Sequence, residues 1–357
     1  MEWAILKSLA VPAEEAAQKL LELARHDGDE VARVLLGRGV CGWIVHTNPA
    51  YAQFPESLRE IVQKGAQREF MVCAQRKAAM MSLDALAAEQ ECAMIAVKGA
   101  ANALLYYEKE STRPSLDSDL IMTPDAIARC FNDRIALPAE DAPREQWFQT
   151  PEFRIAGYPV EAHAFFLASA RWGHCADLEP TTVPLRGFSQ LRGPDATTAF
   201  TLSLLHFMHH GGGFFFDLLD MVQIAKQDGF DIAAAAAVWK ENDLVDLVLP
   251  GLAVVEALTP LVSEVLWDEL WDTLRRRKRF ECAISLRFLA SARFNRMRAD
   301  WFRSRIVSPA FSRRLFGRVA GSKEFTKQRT GLEPGSPRFW LHHILVLPLQ
   351  RLVFFWK

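Results

Sequence analysis

Between Met94 and Met122 the chain reads MIAVKGAANALLYYEKESTRPSLDSDLIM, and this stretch constrains the fold more than any other. An apolar run, Met94 to Val97, leads to a turn at Lys98-Gly99-Ala100 and a short helix-forming segment. A loop carrying Arg113 follows, then a second apolar run bearing Asp117 and Asp119. The pattern predicts strand, glycine turn, helix, loop and strand. Side chains alternate across a strand, so Asp117 and Asp119 are expected on one face, converging on one cation. Two carboxylates are what a magnesium ion bridging substrate phosphates needs, and N–H groups at the turn and helix start would cradle those phosphates.

The segment PVEAHAFF, from Pro159 to Phe166, reads as another strand, with Val160, Ala162 and Ala164 on one face and Glu161 and His163 on the other. It is expected to form a hairpin with Phe153 to Ala156 through Gly157-Tyr158, and Gln146 to Thr150 is a further strand-like piece. Together, Lys98, Gly99, Arg113, Asp117, Asp119 and Glu161 fit a phosphoryl-transfer site in which carboxylates hold two metal ions and basic groups offset the remaining phosphate charge. Taken singly, each acid has a plainer explanation as a solvated group beside a strand.

Helical patterns flank this centre. Pro12 to Arg25, Asp29 to Leu36 and a long alanine-rich run from about Pro55 to Glu91 precede it. Thr123-Pro124-Asp125 starts a helix that runs to about Asp133. From Asp195 the chain predicts helices over Ala196–His210, Phe215–Gln227, Ile232–Asn242, Leu244–Leu258 and Pro260–Arg275. His206 and His210 stand at helical i,i+4 spacing, as zinc ligands would, but neither an HExxH glutamate nor a cysteine pair supports them. His209 and Asp220 are the better candidates for contacting a nucleotide or acceptor from the helical side, the alternative being helix packing. His163 would orient Glu161 or the acceptor, or be a partly buried strand histidine.

With 357 residues, half of them hydrophobic, the chain is long enough for two or three packed units. Its formal net charge of −1 conceals an asymmetry: Arg275 to Lys357 holds 20 Lys+Arg against 4 Asp+Glu, leaving 22 against 39 in the rest. The six cysteines show no paired spacing and are expected as reduced thiols in a cytoplasmic protein. The start of the chain has too short an apolar run for a secretory signal. The aromatic C-terminal tail fits contact with an anionic membrane surface or with a protein, and since no nucleic-acid fold signature accompanies it, specific nucleic-acid binding is not expected.

AVKGAA at Ala96 to Ala101, RPSLDSDLIM at Arg113 to Met122 and VEAH at Val160 to His163 resemble the polymerase-beta-like nucleotidyltransferases, within them a bacterial group with KG and R…DxD motifs. The resemblance implies an α+β fold. Its parts would be a helical N-terminal region (1–90), a small mixed-sheet nucleotidyltransferase core (91–192), a helical domain (193–300) and a basic aromatic tail (301–357). It implies transfer of a nucleoside monophosphate from an NTP to a hydroxyl or phosphate acceptor, with two Mg2+ ions on Asp117, Asp119 and Glu161. Lys98, Gly99, Ala100, Arg113 and Ser115 would lie around the triphosphate, and His163, His209 and Asp220 near the nucleotide or acceptor. The group's occurrence beside lasso-peptide and exopolysaccharide biosynthesis genes points to a peptide or sugar acceptor. Better-known members carry a Gly-Ser turn and an aspartate as third acid, where this chain has Gly99-Ala100 and Glu161; its phosphate binding would rest on backbone amides and Lys98. The competing expectations are a catalytically inactive nucleotide- or peptide-binding protein of the same fold, and a membrane- or RNA-associated adaptor acting through the tail.

Overall fold

The computed structural model describes residues 14–133, 152–164, 181–209 and 215–274, together with Ile5, Ser8, Leu9 and Ser336. Among these residues the protein is α+β, with eleven α-helices and one mixed six-stranded sheet. The expected strand at 146–150, His210 and the basic tail, apart from Ser336, lie outside the described residues.

Four helices precede the sheet: α1 (Glu14–His26), α2 (Gly28–Arg38), α3 (Cys41–Thr47) and α4 (Glu56–Glu89). Asp27 caps α2 by accepting from the Glu30 amide, and Gly39, at φ 66°, closes it in the left-handed conformation that glycine adopts without penalty. The short α3 has no pattern long enough to announce it. Its first amides, from Cys41 and Gly42, donate to the buried Glu69 carboxylate of α4 at 3.0 and 2.6 Å. That carboxylate meets the positive end of α3.

The 34-residue α4 spans two hydrophobic cores. Its first half gives Leu58, Val62 and Ala66 to a core shared with α1 and α2 and with the C-terminal helices; its second half gives Ala79, Met80, Leu83 and Ala87 to a core beneath the sheet. Those C-terminal helices are α7 (Ala196–His209), α8 (Phe215–Ile224), α9 (Ile232–Glu241), α10 (Val245–Glu256) and α11 (Glu264–Asp272). No helix among the described residues is long and apolar enough to cross a membrane.

The strands are β1 (Ile95–Val97), β2 (Ser118–Ile121), β3 (Phe153–Ile155), β4 (Tyr158–His163), β5 (Thr182–Pro184) and β6 (Arg192–Pro194), in the spatial order β3-β4-β2-β1-β6-β5. Helix α5 (Lys98–Leu105) follows β1, and α6 (Pro124–Phe131) follows β2, started by Thr123 accepting from the Ala126 amide. β1 runs antiparallel to β2, and β2 parallel to β4, with Val97 opposite Asp119 and Asp119 opposite Glu161. Ala96, Leu120, Val160 and Ala162 enter the core with α4 and α6. The alternate residues Asp119, Glu161 and His163 therefore share the other face.

Two expectations about boundaries are corrected. β2 begins at Ser118, so Asp117 lies in the bend before the strand and not within it. The turn of the β3–β4 hairpin is Ala156-Gly157, both at positive φ (49° and 80°), and Tyr158 already belongs to β4. Two consecutive positive-φ residues match the right-handed twist of the flanking strands.

Candidate functional site

Asp119, Glu161 and His163 meet on one face of the central strands, each offering a ligand atom within 4.8 Å of the others. The register places them: Asp119 and Glu161 are directly paired on neighbouring parallel strands, and His163 follows Glu161 by two residues on the same face. His163 Nε2 is 2.9 Å from Asp119 Oδ1 and 3.7 Å from Glu161 Oε2. Lys98, at the C-terminal end of β1, donates from Nζ to the same Asp119 Oδ1 at 2.7 Å. Burial alone would push the Asp119 carboxyl up. The Lys98 ammonium and the His163 hydrogen bond overcome it and hold the carboxyl well below the usual carboxylate range. Lys98 shows the balance from its side: burial disfavours its charge, but Asp119, with Asp117 and Glu161 adding to it, raises its pKa.

The Lys98 backbone has φ 53° although it is not glycine, a conformation that costs of order 1–3 kcal/mol and persists where surrounding structure enforces it. Gly99 explains the enforcement. A Cβ there would lie 2.6 Å from Ser115 Oγ and 3.1 Å from Arg113 Nη1, so the turn is pressed against the loop before β2. Ser115 Oγ donates to the Asp117 carbonyl at 2.8 Å, and Tyr158 OH donates to the carbonyls of Ser115 and Asp117 at 2.6 and 3.1 Å. Ser115 thus fixes the loop, and Ala100 is buried in the start of α5. Asp117 flanks the cluster, half-buried, with its pKa raised by burial and then by Asp119, against the pull of Lys98 and of His206 on α7.

Arg113 and Asp220 do not join this cluster. Arg113 Nε and Nη2 donate to the two oxygens of Asp220, each at 2.8 Å, while Nη1 donates to the Pro114 carbonyl at 2.6 Å. The guanidinium lies 4.4 Å from the centre of the Phe216 ring. Asp220 also accepts from Tyr107 OH at 2.7 Å and Asn102 Nδ2 at 2.9 Å. Both charges are buried and paired in one network that fastens α8 to α5 and the loop before β2, although the Oδ1 of Asn102 within it has no hydrogen-bond partner among the described residues. Arg113 and Asp220, expected at the triphosphate and the nucleotide, are paired with each other here. His209 closes α7, and its side chain lies outside the described residues.

Sequence reading did not single out the pairing of His206 with Asp217. His206 Nδ1 lies 3.0 and 2.9 Å from the two Asp217 oxygens, and Asp217 is buried. The available signal was the pair of acids, Asp217 and Asp220, in the otherwise apolar helix FFDLLDMVQI, since buried acids need partners. Comparison with family models, with curated proteins and with solved structures finds no match for the chain.

The donors at Asp119, Glu161 and His163 fit a hard divalent cation. Two carboxylates suit Mg2+ or Mn2+, and an imidazole nitrogen is accepted more readily by Mn2+ and later metals. Ligands about 2.1 Å from one ion lie at most about 4.2 Å apart, so the set closes slightly on such an ion. The Lys98 ammonium already stands on Asp119 as a cation would.

Proposed function

We propose that the chain is a Mg2+-dependent nucleotidyltransferase, moving a nucleoside monophosphate from an NTP to a hydroxyl or phosphate of a peptide, sugar or other small acceptor. The observation that carries this reading is the registered pair Asp119 and Glu161, joined by His163 and Lys98 on one face of the sheet. Two carboxylates so close together, the buried Asp119 held ionised by the Lys98 ammonium and the His163 hydrogen bond, suit a cation-bridged polyphosphate.

Asp119, Glu161 and His163 would hold a divalent ion, and Asp117 beside them would help hold a second. Bound divalent cations supply charge neutralisation of the triphosphate and of the departing pyrophosphate. Lys98 leaves Asp119 when that charge is replaced and turns its ammonium to a phosphate oxygen. Amides at the start of α5 face the same phosphates. On the helical wall, Asp217 fixes the His206 ring through Nδ1, and His206 takes the acceptor proton at Nε2. The acceptor oxygen bonds to the α-phosphorus as the bond to the pyrophosphate oxygen breaks.

The test is a screen of the four NTPs with Mg2+ and a mixed peptide and sugar acceptor pool, reading pyrophosphate release. Release is expected from the wild type and a fall of at least about 100-fold in Asp119→Asn, with the far-ultraviolet spectrum unchanged. Asp117→Asn is expected to lose turnover likewise. Mg2+-dependent NTP binding without release supports a binding protein instead, and release by both Asp variants at the wild-type rate sinks the catalytic reading.

A further inference from the structure

Two thiols meet at the far end of the β1–β2 pair. Cys92 lies between α4 and β1, its amide donating to the Ala87 carbonyl at 3.1 Å, and Cys130 lies in the last turn of α6. They are 38 positions apart in the chain, yet their Sγ atoms are 3.3 Å apart. A disulfide needs about 2.05 Å between sulfurs, a closure of about 1.3 Å from this separation.

We propose that Cys92 and Cys130 form an oxidative modification site, closing reversibly into an intramolecular disulfide by exchange with a low-molecular-weight disulfide such as oxidised glutathione. Cys92, the more exposed thiol, gives its proton to solvent and attacks one sulfur of the reagent. The reagent's S–S bond breaks, and one reagent thiol leaves with a proton. Cys130 then loses its proton, attacks Cys92 Sγ in the mixed disulfide and expels the second reagent thiol. Two electrons pass from the protein to the reagent: two protein thiols are oxidised, and one reagent disulfide is reduced to two thiols. Burial supports this order, because the Cys130 thiol is pushed up to about 12, first by desolvation and then by its contact with Cys92.

The position of the link determines what it does. Ile95 pairs with Ile121 at the thiol end of the strands, and Val97 pairs with Asp119 at the carboxylate end. Cys92 precedes β1 and Cys130 closes α6, so the crosslink ties the two segments that flank the β1–β2 pair. Closing the chain segment that contains Lys98, Arg113 and Asp119 restricts the unfolded chain, and a disulfide in a reducing compartment is of the transient, sensing kind.

The experiment oxidises the freshly reduced full chain with oxidised glutathione, blocks remaining thiols with N-ethylmaleimide and maps unreduced peptides by mass spectrometry. The expected product joins the Cys92 peptide to the Cys130 peptide, about 2 Da lighter than the two thiol forms, and reverts with dithiothreitol. In Cys92→Ser, a change at a partly exposed position, Cys130 is expected to stay a thiol while circular dichroism matches the wild type. A glutathione adduct persisting on wild-type Cys92, a link from either residue to another cysteine, or full alkylation of both after prolonged oxidation overturns the proposal.

Discussion

Asp220 takes bonds from Arg113, Tyr107 and Asn102, and these contacts commit the Arg113 guanidinium to a buried carboxylate. Arg113→Met is expected to destabilise the protein by about 3–5 kcal/mol, because it leaves a buried carboxylate with neutral donors alone. Urea denaturation measures this, and Arg113→Met combined with Asp220→Leu should recover much of the loss; a single variant costing under about 1 kcal/mol would refute the network's importance. The two partners stand 107 positions apart, and nothing local in either segment announces the other. Asp119, Glu161 and His163 were legible because period-two alternation puts polar residues on one face wherever the opposite residues are apolar. The role of Lys98 was half legible. Its charge invited a phosphate, but the sequence does not show that the ammonium rests on Asp119 with a left-handed backbone beneath it.

Among the elements, long helices and the strands around Asp119 follow their hydrophobic patterns, whereas β5 and β6 do not. Three residues each, TVP and RGP, are too short for periodicity to register and contain residues that weaken strands. Their connecting turn is held by α4: the Asp84 carboxylate accepts from the amides of Ser189, Gln190 and Leu191 at 3.1, 2.7 and 2.8 Å and from Ser189 Oγ at 3.0 Å. Partial burial pushes the Asp84 carboxyl up, but these bonds outweigh it and leave the pKa below the ordinary 3.8. A depressed folded pKa contributes stability that is present above the unfolded value and lost as pH falls through the folded one. Denaturation midpoints measured from neutral pH downward should therefore fall less steeply below about pH 4 in Asp84→Asn than in the wild type. Parallel curves would show that the turn does not depend on the charge.

At the scale of the molecule, the helices before the sheet and those after it share one core, with Leu20 and Leu35 in the same buried cluster as Phe200, Phe207 and Trp239. Composition cannot reveal such a union, because each amphipathic helix says only that it has an apolar face. A ligand that binds the folded state alone stabilises all of it, by about 2.7 kcal/mol when present at 100 times its Kd. Mg2+ or Mn2+ should therefore raise the melting temperature of the wild type, with Mn2+ acting at lower concentration, and leave that of Asp119→Asn unmoved; equal shifts in both proteins would place the ion elsewhere. The pairing of Asp119 with Glu161 has one more consequence. If β4 were to slip by a single residue against β2, Glu161 and His163 would turn into the core and Val160 and Ala162 out to solvent. A mispaired sheet would thus be excluded by its own packing, so a correctly folded chain brings Asp119 beside Glu161 and His163 on one face.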